Sequence, residues 1–264
     1  MLKLSHLSKV FFKGNINENV VLRDINLYAP RSDFVTIVGS NGAGKTTLLN
    51  VISGVFAPDG GKIEIDGRDV VNLPEYKRAR FIGRVFQNPL QGTASSLTIE
   101  ENLAIADLKN KKRRLRLAIT HKKREEFQRK LKTLGLGLED RLQERVGSLS
   151  GGQRQALTIL MATLAEPELL LLDEHTASLD PETAQKIICL TEEIITGNRL
   201  TTLMVTHNME EALKFGNRTI MMHEGRIILD ISGKERAKMS VNDLLDKFSE
   251  VKKAKLVEDE MLLI

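Results

Sequence analysis

The chain of 264 residues has 28% charged and 41% hydrophobic residues, an ordinary globular composition with enough length to bury a substantial core. No apolar run approaches the ~20 residues that a membrane-spanning helix needs, and the N-terminus lacks the apolar block of a signal peptide. The net charge of +4 is mild, and the single cysteine, Cys189, excludes an internal disulfide and fits a reducing cytosol, with a buried place in the core expected for it.

The first third of the chain predicts short strands around one helix. Residues 45–53 place Leu48, Leu49 and Ile52 on one helical face. The turn residues Gly60-Gly61 and Asp66-Gly67 bracket one of the strands. The predicted strands are 3–12, 20–29, 34–38, 62–65 and 84–86.

The middle of the chain is charge-rich and helix-like, without a strand signal from about residue 97 to 143, and we interpret residues 97–165 as an inserted helical subdomain. Thr98, followed three residues later by Glu101, indicates a helix start. A helix is predicted around 187–195, and the tail after Gly233 is polar with one short helical patch at 243–248. The strands predicted in this half are 169–172, 201–205, 219–222 and 226–229. Alternating strands and helices predict an α/β fold with a mostly parallel sheet.

Basic residues cluster inside the predicted helical insert. The interpretation we favour is a solvated loop and helix face, and the alternatives are contact with anionic lipid headgroups or with nucleic acid. Aromatic residues total only 4% and none interleave with the cluster, which argues against stacking on single strands. The cluster comprises Lys109, Lys111, Lys112, Arg113, Arg114, Arg116, Lys122, Lys123 and Arg124.

A phosphate-binding loop follows the strand at 34–38. The sequence fits G-x-x-x-x-G-K-[ST] between a strand and a helix, which is the context that the motif requires. Its glycines let backbone N–H groups turn toward phosphate oxygens, and the helix N-terminus adds partial positive charge. Lys45 can reach the β- and γ-phosphates, and the Thr46 hydroxyl can bind Mg²⁺. The predicted nucleotide-binding residues are Gly39, Ser40, Asn41, Gly42, Ala43, Gly44, Lys45, Thr46 and Thr47.

An aliphatic strand at 169–172 ends in two carboxylates, Asp173 and Glu174. Ligand chemistry gathers at the carboxyl ends of the strands in a parallel sheet. Asp173 is placed to hold Mg²⁺ through water, because this ion keeps most of its hydration shell. Glu174 could polarise an attacking water. Alone, the two carboxylates would be weak evidence for a nucleotide site. Together with Lys45 of the phosphate-binding loop, they are strong evidence.

The segment Leu149-Ser150-Gly151-Gly152-Gln153 supplies a third motif. With it, the chain resembles the nucleotide-binding subunit of an ATP-binding-cassette (ABC) transporter from Leu2 to about Ile231. This resemblance implies a P-loop ATPase core with an antiparallel β subdomain and the helical subdomain, within an ATPase domain at 1–233 that a tail at 234–264 follows. It also implies that Ser150, Gly151, Gly152 and Gln153 contact the ATP of a partner subunit.

Further family motifs appear in order along the chain. Gln87 matches the glutamine that touches Mg²⁺ and the attacking water, Asp180 ends the D-loop motif Ala177-Ser178-Leu179-Asp180, and His207 matches the switch histidine. Phe11 stands where the family places an aromatic against adenine, with Phe12 as the neighbouring candidate. The resemblance makes Glu174, His207 and Gln87 catalytic, and it makes Thr46, Gln87 and Asp173 the metal-binding residues.

Two positions depart from the family pattern. His175 replaces the proline that usually follows the catalytic glutamate, which could alter the turn into the D-loop, and Met161 stands where an arginine is common. No catalytic group is lost, so the sequence predicts an active ATPase.

The resemblance implies ATP and Mg²⁺ as cofactors and a second copy, or a paralogous subunit, closing around two ATPs. It also implies transmembrane permease subunits, an extracytoplasmic solute-binding protein, and a peripheral place on the cytoplasmic face of the membrane. The family function favoured is a bacterial importer, with an amino-acid-like solute suggested by analogy. Nucleic acid is not expected as a partner. The alternatives are an exporter ATPase, a soluble ABC-type ATPase acting on nucleic acid or ribosomes, and a non-hydrolysing regulatory module.

Overall fold

The computed structural model describes residues 1–109 and 118–250, whose strands form two sheets. In chain order the strands are β1 Leu2–Phe11, β2 Asn19–Ala29, β3 Phe34–Gly39, β4 Gly60–Ile65, β5 Arg68–Asp69, β6 Ile82–Val85, β7 Leu169–Asp173, β8 Thr201–Val205, β9 Arg218–His223 and β10 Arg226–Ser232. One sheet is antiparallel, in the order β2-β1-β4-β5. The other has the order β10-β9-β3-β8-β7-β6 and is parallel except for the β9–β10 pair.

The helices pack around these sheets. They are α1 Lys45–Ser53, α2 Glu75–Arg78, α3 Ile99–Asp107, α4 His121–Lys132, α5 Gly151–Thr163, α6 Pro181–Gly197, α7 Met209–Lys214 and α8 Gly233–Lys238. Two short 3₁₀ helices lie at Pro89–Gly92 and Val146–Ser148, and residues 241–250 are also helical. Within the described part of the chain, no helix is long and apolar enough to cross a bilayer.

The parallel strands are buried on both faces, as their aliphatic runs predict. Because side chains alternate along a strand, Leu169 and Leu171 pack toward α1 and the antiparallel sheet. Leu170 and Leu172 pack toward α5 and α6 on the other face. The six-stranded sheet therefore forms the middle layer, and the carboxyl ends of β3, β7 and β8 meet at one edge.

The helical segment begins with the capping box that the sequence predicts. Thr98 accepts a hydrogen bond from the Glu101 N–H at 3.3 Å, and Glu101 Oε2 accepts one from the Thr98 N–H at 2.8 Å. Between residues 97 and 143 the described part contains helices and no strand, apart from a single bridge between Thr98 and Arg145. The basic residues between 110 and 117 lie outside the described part of the chain.

The tail differs from the prediction of one helical patch, because two helical segments follow residue 232. The first, α8, has no buried residue and so no apolar pattern to reveal it. Its Arg236 donates hydrogen bonds to the Phe215 carbonyl at 2.6 Å and the Ala212 carbonyl at 3.0 Å, which joins the tail to the end of α7. Leu244 in the second segment is fully buried in a small apolar cluster that includes Val38 and Ile231. The division of the chain at residue 233 stays a prediction.

Candidate functional site

The site lies where three parallel strands end side by side. In β3, β8 and β7, Ile37 pairs with Val205 and Val205 pairs with Asp173. The segments that follow these strands therefore leave the same edge of the sheet. These segments carry the phosphate-binding loop, the two carboxylates and His207, so the fold brings together motifs that are far apart in sequence.

The phosphate-binding loop (residues 39–46) has the backbone that its glycines predict. A Cβ on Gly39 would lie 2.1 Å from the Met222 carbonyl oxygen, and Gly44 caps α1 in the left-handed region with φ 97°. The Lys45 Nζ donates hydrogen bonds to the carbonyls of Gly39 at 2.8 Å and Ser40 at 3.1 Å. Burial lowers the pKa of Lys45, and the nearby Glu174 and Asp173 act in the opposite direction. The ammonium therefore lies inside the loop, where an anion would sit.

Two predicted metal ligands are in direct contact. The Thr46 Oγ1 donates a hydrogen bond to Asp173 Oδ1 at 3.0 Å. Burial raises the pKa of Asp173, whereas the Thr46 hydrogen bond and the charge of Arg84 lower it. Gln87, the third predicted ligand, is exposed and follows β6, the neighbour of β7.

These oxygen atoms fit Mg²⁺. In residues 1–109 and 118–250 no group of three or more His, Cys, Asp or Glu side chains could hold a metal ion. Mg²⁺ does not require such a group, since it usually keeps several waters and binds one or two protein oxygens together with substrate phosphates. The Thr46 hydroxyl and the Asp173 carboxylate, next to the phosphate-binding loop, are a pair of protein oxygens of this kind.

Two of the three predicted catalytic side chains, Glu174 and His207, meet across the ends of β7 and β8. His207 Nδ1 lies 3.8 Å from Glu174 Oε2, and the histidine side chain is 62% exposed. Glu174 has a left-handed backbone with φ 43°, and its N–H donates to the Val205 carbonyl at 3.0 Å. Both side chains are thus at the edge where Lys45 and Asp173 lie.

His175, the departure from the family pattern, points away from this edge. It is buried against α6, with Nε2 3.2 Å from Thr191 Oγ1. Burial lowers the pKa of His175 to about 4, so the imidazole is neutral near pH 7.

The segment 149–153 forms the start of α5 and is separate from the phosphate-binding loop. Ser150 caps the helix by accepting from the Gln153 N–H at 3.3 Å, and Gln153 Oε1 accepts from the Ser150 N–H at 3.2 Å. A Cβ on Gly152 would lie 2.4 Å from Thr183 Cγ2, so a larger residue there would require the Thr183 side chain to shift. Ser150 and Gly151 are exposed, which leaves a hydroxyl and helix N–H groups at the surface.

Asp180 caps α6 and accepts a hydrogen bond from the Thr183 N–H at 3.0 Å. Hydrogen bonding by the Thr183 side chain, and then by the Thr183 N–H, holds the pKa of Asp180 below its usual range. A cleft of about 410 Å³ separates the D-loop from α7, and Leu179, His207 and Asn208 are among its lining residues.

The two aromatic candidates differ in environment. Phe11 ends β1, half-buried, with its ring 5.2 Å from that of Phe56 in an edge-on contact. Phe12 has a left-handed backbone and is 67% exposed. Cys189, expected in the core, is only partly buried and accepts a hydrogen bond from Gln185.

A groove of about 300 Å³ lies beside the site, between β6, α2, α3, α5 and the 3₁₀ helix at Pro89–Gly92. Met161, the second departure from the family pattern, lines it. Lys109 also lines the groove and donates to the Ile82 carbonyl at 2.7 Å, and burial lowers the pKa of Lys109. The ammonium of this member of the basic cluster therefore reaches back to β6, while the residue as a whole stays exposed. We call this the docking groove, and its lining includes Glu75, Arg84, Phe86, Gln91, Lys109 and Met161.

Arg84 is the residue that sequence analysis missed. Its Nη2 lies 3.9 Å from Asp173 Oδ2, and it is the single charged residue of β6. A charged residue within a short buried strand was the available signal. A larger cleft of about 620 Å³ lies at the other end of the sheet, near Ser32 and Thr201, and contains none of the predicted site residues.

Comparisons with known proteins find relatives of similar sequence. A family model described as ABC transporter matches residues 22–177. Over 248 residues the chain is 43% identical to the tyrosine transport ATP-binding protein of Clostridioides difficile, covering 94% of this chain and 98% of that protein. It is 32% identical over 227 residues to the methionine import ATP-binding protein MetN of Corynebacterium efficiens, covering 84% of this chain and 60% of that longer protein.

Solved structures show the same fold. A dimeric ATP-binding cassette in a post-hydrolysis state, bound to ADP and Pi, matches with a TM-score of 0.75 and 28% identity, covering 88% of this chain and 98% of that one. A Clostridium perfringens protein described as part of the ABC transporter complex cbiONQ matches with a TM-score of 0.76 and 26% identity, covering 97% of this chain and 98% of that one.

Proposed function

Because this chain belongs to the ABC transporter family and is an ATP-hydrolysing, ATP-binding subunit, we propose that it drives a bacterial importer of an amino-acid-like solute. The observation that carries the ATPase half is the meeting of Lys45, Asp173, Glu174 and His207 at one sheet edge. The import half is supported by relatives named for tyrosine transport and methionine import. These names favour an importer over the exporter and nucleic-acid alternatives.

The phosphate-binding loop would hold the ATP phosphates. Lys45 would leave the loop carbonyls for the β- and γ-phosphates, and the N–H groups at the start of α1 would complete the cradle. Thr46 and Asp173, with Gln87, would hold Mg²⁺, which when bound offsets the charge of the phosphate oxygens. Phe11 is our candidate for stacking on adenine, and Phe12 is its alternative.

Glu174 would act as the general base toward the attacking water. Its Oε2 would accept the proton as the water oxygen attacks the γ-phosphorus. His207, 3.8 Å from that oxygen, would hold the γ-phosphate and the water in line. The bond to the leaving ADP oxygen then breaks, which releases ADP and phosphate.

The exposed start of α5 would complete the site of a partner subunit. Ser150 and Gly151 present a hydroxyl and helix N–H groups to solvent, an arrangement that binds anions. In a two-fold dimer of this chain or with a paralogue, these groups would cap the γ-phosphate held by the other subunit, with Gly152, Gln153 and Asp180 alongside. Dimeric ATP-binding cassettes of the same fold support this assembly.

The docking groove is our candidate surface for permease subunits, which would place the chain on the cytoplasmic face of the membrane. Exposed apolar side chains lie on the elements that form the groove: Tyr76, Leu90, Ile105 and Leu108. An apolar segment with a carboxylate would suit this rim and the Lys109 ammonium within it. An extracytoplasmic solute-binding protein would complete the importer.

Uptake in cells tests the proposal. Deletion of the gene should abolish energy-dependent uptake of one labelled amino acid, tyrosine and methionine being the first to try. Wild-type protein should restore it, and Glu174→Gln should not, because the variant lacks the base. Glu193→Gln, on the exposed face of α6, is the matched control and should restore uptake fully. Normal amino-acid uptake in the deletion strain, together with lost efflux of any solute, would contradict import.

A further inference from the structure

Arg84 is held by several groups at once. Its side chain, 12% exposed, donates Nη2 to Asn50 Oδ1 at 2.6 Å and Nη1 to Ser53 Oγ at 3.1 Å. Both acceptors belong to α1, the helix that begins at the phosphate-binding loop. The guanidinium carbon also lies 4.5 Å from the centroid of the Phe86 ring. These contacts fix the plane and the position of the guanidinium.

The fixed guanidinium faces the candidate metal ligand. Nη2 lies 3.9 Å from Asp173 Oδ2, while the other carboxylate oxygen, Oδ1, accepts the hydrogen bond from Thr46 at 3.0 Å. One oxygen of Asp173 is thus directed toward the positive charge and the other toward the hydroxyl with which it would share Mg²⁺. The carboxylate is nearly buried, so its orientation depends on these two neighbours.

The same arginine forms part of the docking groove. Arg84 and Phe86 both line it, and Phe86 directly precedes Gln87 in the chain. A segment bound in the groove would therefore press on the ring that carries the guanidinium. This contiguous contact runs from the groove surface through Phe86 and Arg84 to Asp173.

We propose that Arg84 is a positioning residue that aims Asp173 at Mg²⁺ and connects this carboxylate to the docking groove. The inference rests on the proposed function, because it takes Asp173 as a metal ligand and the groove as the permease surface. Arginine suits the role since its planar fork serves α1 and Asp173 at once while stacking on the ring. Lysine, with one ammonium, cannot make all these contacts.

Mg²⁺-dependent binding of a fluorescent ATP analogue to the full-length chain tests the proposal without relying on turnover. In Arg84→Met, the Mg²⁺ concentration for half-maximal binding should rise about tenfold, a typical effect of losing a partner of a metal ligand. Binding of the analogue in EDTA should stay within about twofold of wild type, because the loop and Lys45 are intact. Lys77→Gln, an exposed cation of α2 outside the groove, is the matched control and should behave as wild type.

Arg84→Lys provides the conservative variant. It keeps the charge near Asp173 without the full set of contacts, so its Mg²⁺ requirement should fall between those of wild type and Arg84→Met. If thermal unfolding shows that Arg84→Met does not fold, the lysine variant decides. An unchanged or lower Mg²⁺ requirement in the folded variants would overturn the role of Arg84. A wild-type chain whose ATP binding ignores Mg²⁺ would instead overturn the proposed metal site, and the role of Arg84 with it.

Phe86 provides a separate test of the connection between Asp173 and the docking groove. Phe86→Leu keeps an apolar side chain but removes the ring face beneath the guanidinium, so the Mg²⁺ requirement should rise about threefold. Leu245→Ala removes an exposed apolar side chain from the helical segment 241–250, outside the groove, and should leave the Mg²⁺ requirement unchanged. Equal effects of the two substitutions would show that Phe86 does not act through Arg84.

Discussion

His175 shows how a departure from the family pattern is accommodated at the level of one residue. A histidine directly after Glu174 would disturb the site if its side chain faced the nucleotide. The structure instead buries the imidazole against α6, where Thr191 lies 3.2 Å from Nε2. The turn that carries Glu174 therefore rests on a neutral, buried ring, and the substitution acts on stability.

The buried imidazole predicts a pH dependence of folding. Its pKa is about 4 in the folded chain against an ordinary 6.5, so the proton binds the unfolded chain more tightly. The contribution of the neutral imidazole to stability is therefore present above pH 6.5 and is lost as the pH falls toward 4. The free energy of unfolding should fall by about 1 kcal/mol between pH 7 and 5.5. Urea unfolding at these two pH values measures this loss.

His175→Gln is the control for this prediction, since glutamine can bond to Thr191 but does not titrate. The variant should lose about 1 kcal/mol less than wild type between the two pH values. An identical pH dependence of unfolding in both proteins would show that His175 is not the responsible group.

At the level of elements, α1 is held by its two ends. The phosphate-binding loop precedes it, and Arg78 from α2 closes its far end. The guanidinium of Arg78 is 1% exposed and donates to the carbonyls of Val51, Ile52, Val71 and Leu73 at 2.8 to 3.0 Å. Burial lowers the pKa of Arg78, which remains far above neutrality because an arginine pKa begins so high. The C-terminal end of α1, opposite the phosphate-binding loop, is thus fixed by a buried cation.

Arg78→Met should lower the free energy of unfolding by about 3 kcal/mol or more, because it leaves several buried carbonyls without donors. Lys77→Met, on the exposed face of α2, should change the free energy of unfolding by less than about 0.5 kcal/mol. Urea unfolding of both variants compares these values. If the two variants were equally stable, the Arg78 hydrogen bonds would not hold α1.

Many of the helices and strands were predictable from the sequence. Residues 45–53 and 201–205 form the elements expected from their apolar spacing, and Thr98 caps a helix as its motif predicts. The charge of Arg84 within a buried strand was a signal, but its contacts with Asn50 and Asp173 were not predictable, because they join segments that only the folded sheet brings together. The helix α8 was missed because Arg236, rather than an apolar face, attaches it.

At the scale of the whole molecule, the functional groups fall into two separate sets. The phosphate-binding loop, Asp173, Glu174 and His207 share one edge of the six-stranded sheet. Ser150 and its neighbours instead begin α5, which packs against α3, α6 and β6. The sequence predicted both sets, yet one chain leaves Ser150 and Gly151 open to solvent. A two-fold dimer with ATP between the subunits would bring each set to the other.

The molecular mass of the Glu174→Gln variant in solution, measured by light scattering with and without Mg²⁺ and ATP, tests this central claim most directly. Without the general base, hydrolysis should fall at least about a hundredfold, so bound ATP persists and holds two chains together. We predict the mass of one chain without ATP and of two chains with it, while Glu193→Gln, which still hydrolyses ATP, shows no lasting dimer. A Glu174→Gln variant that binds ATP and keeps the mass of one chain would contradict a site shared between subunits.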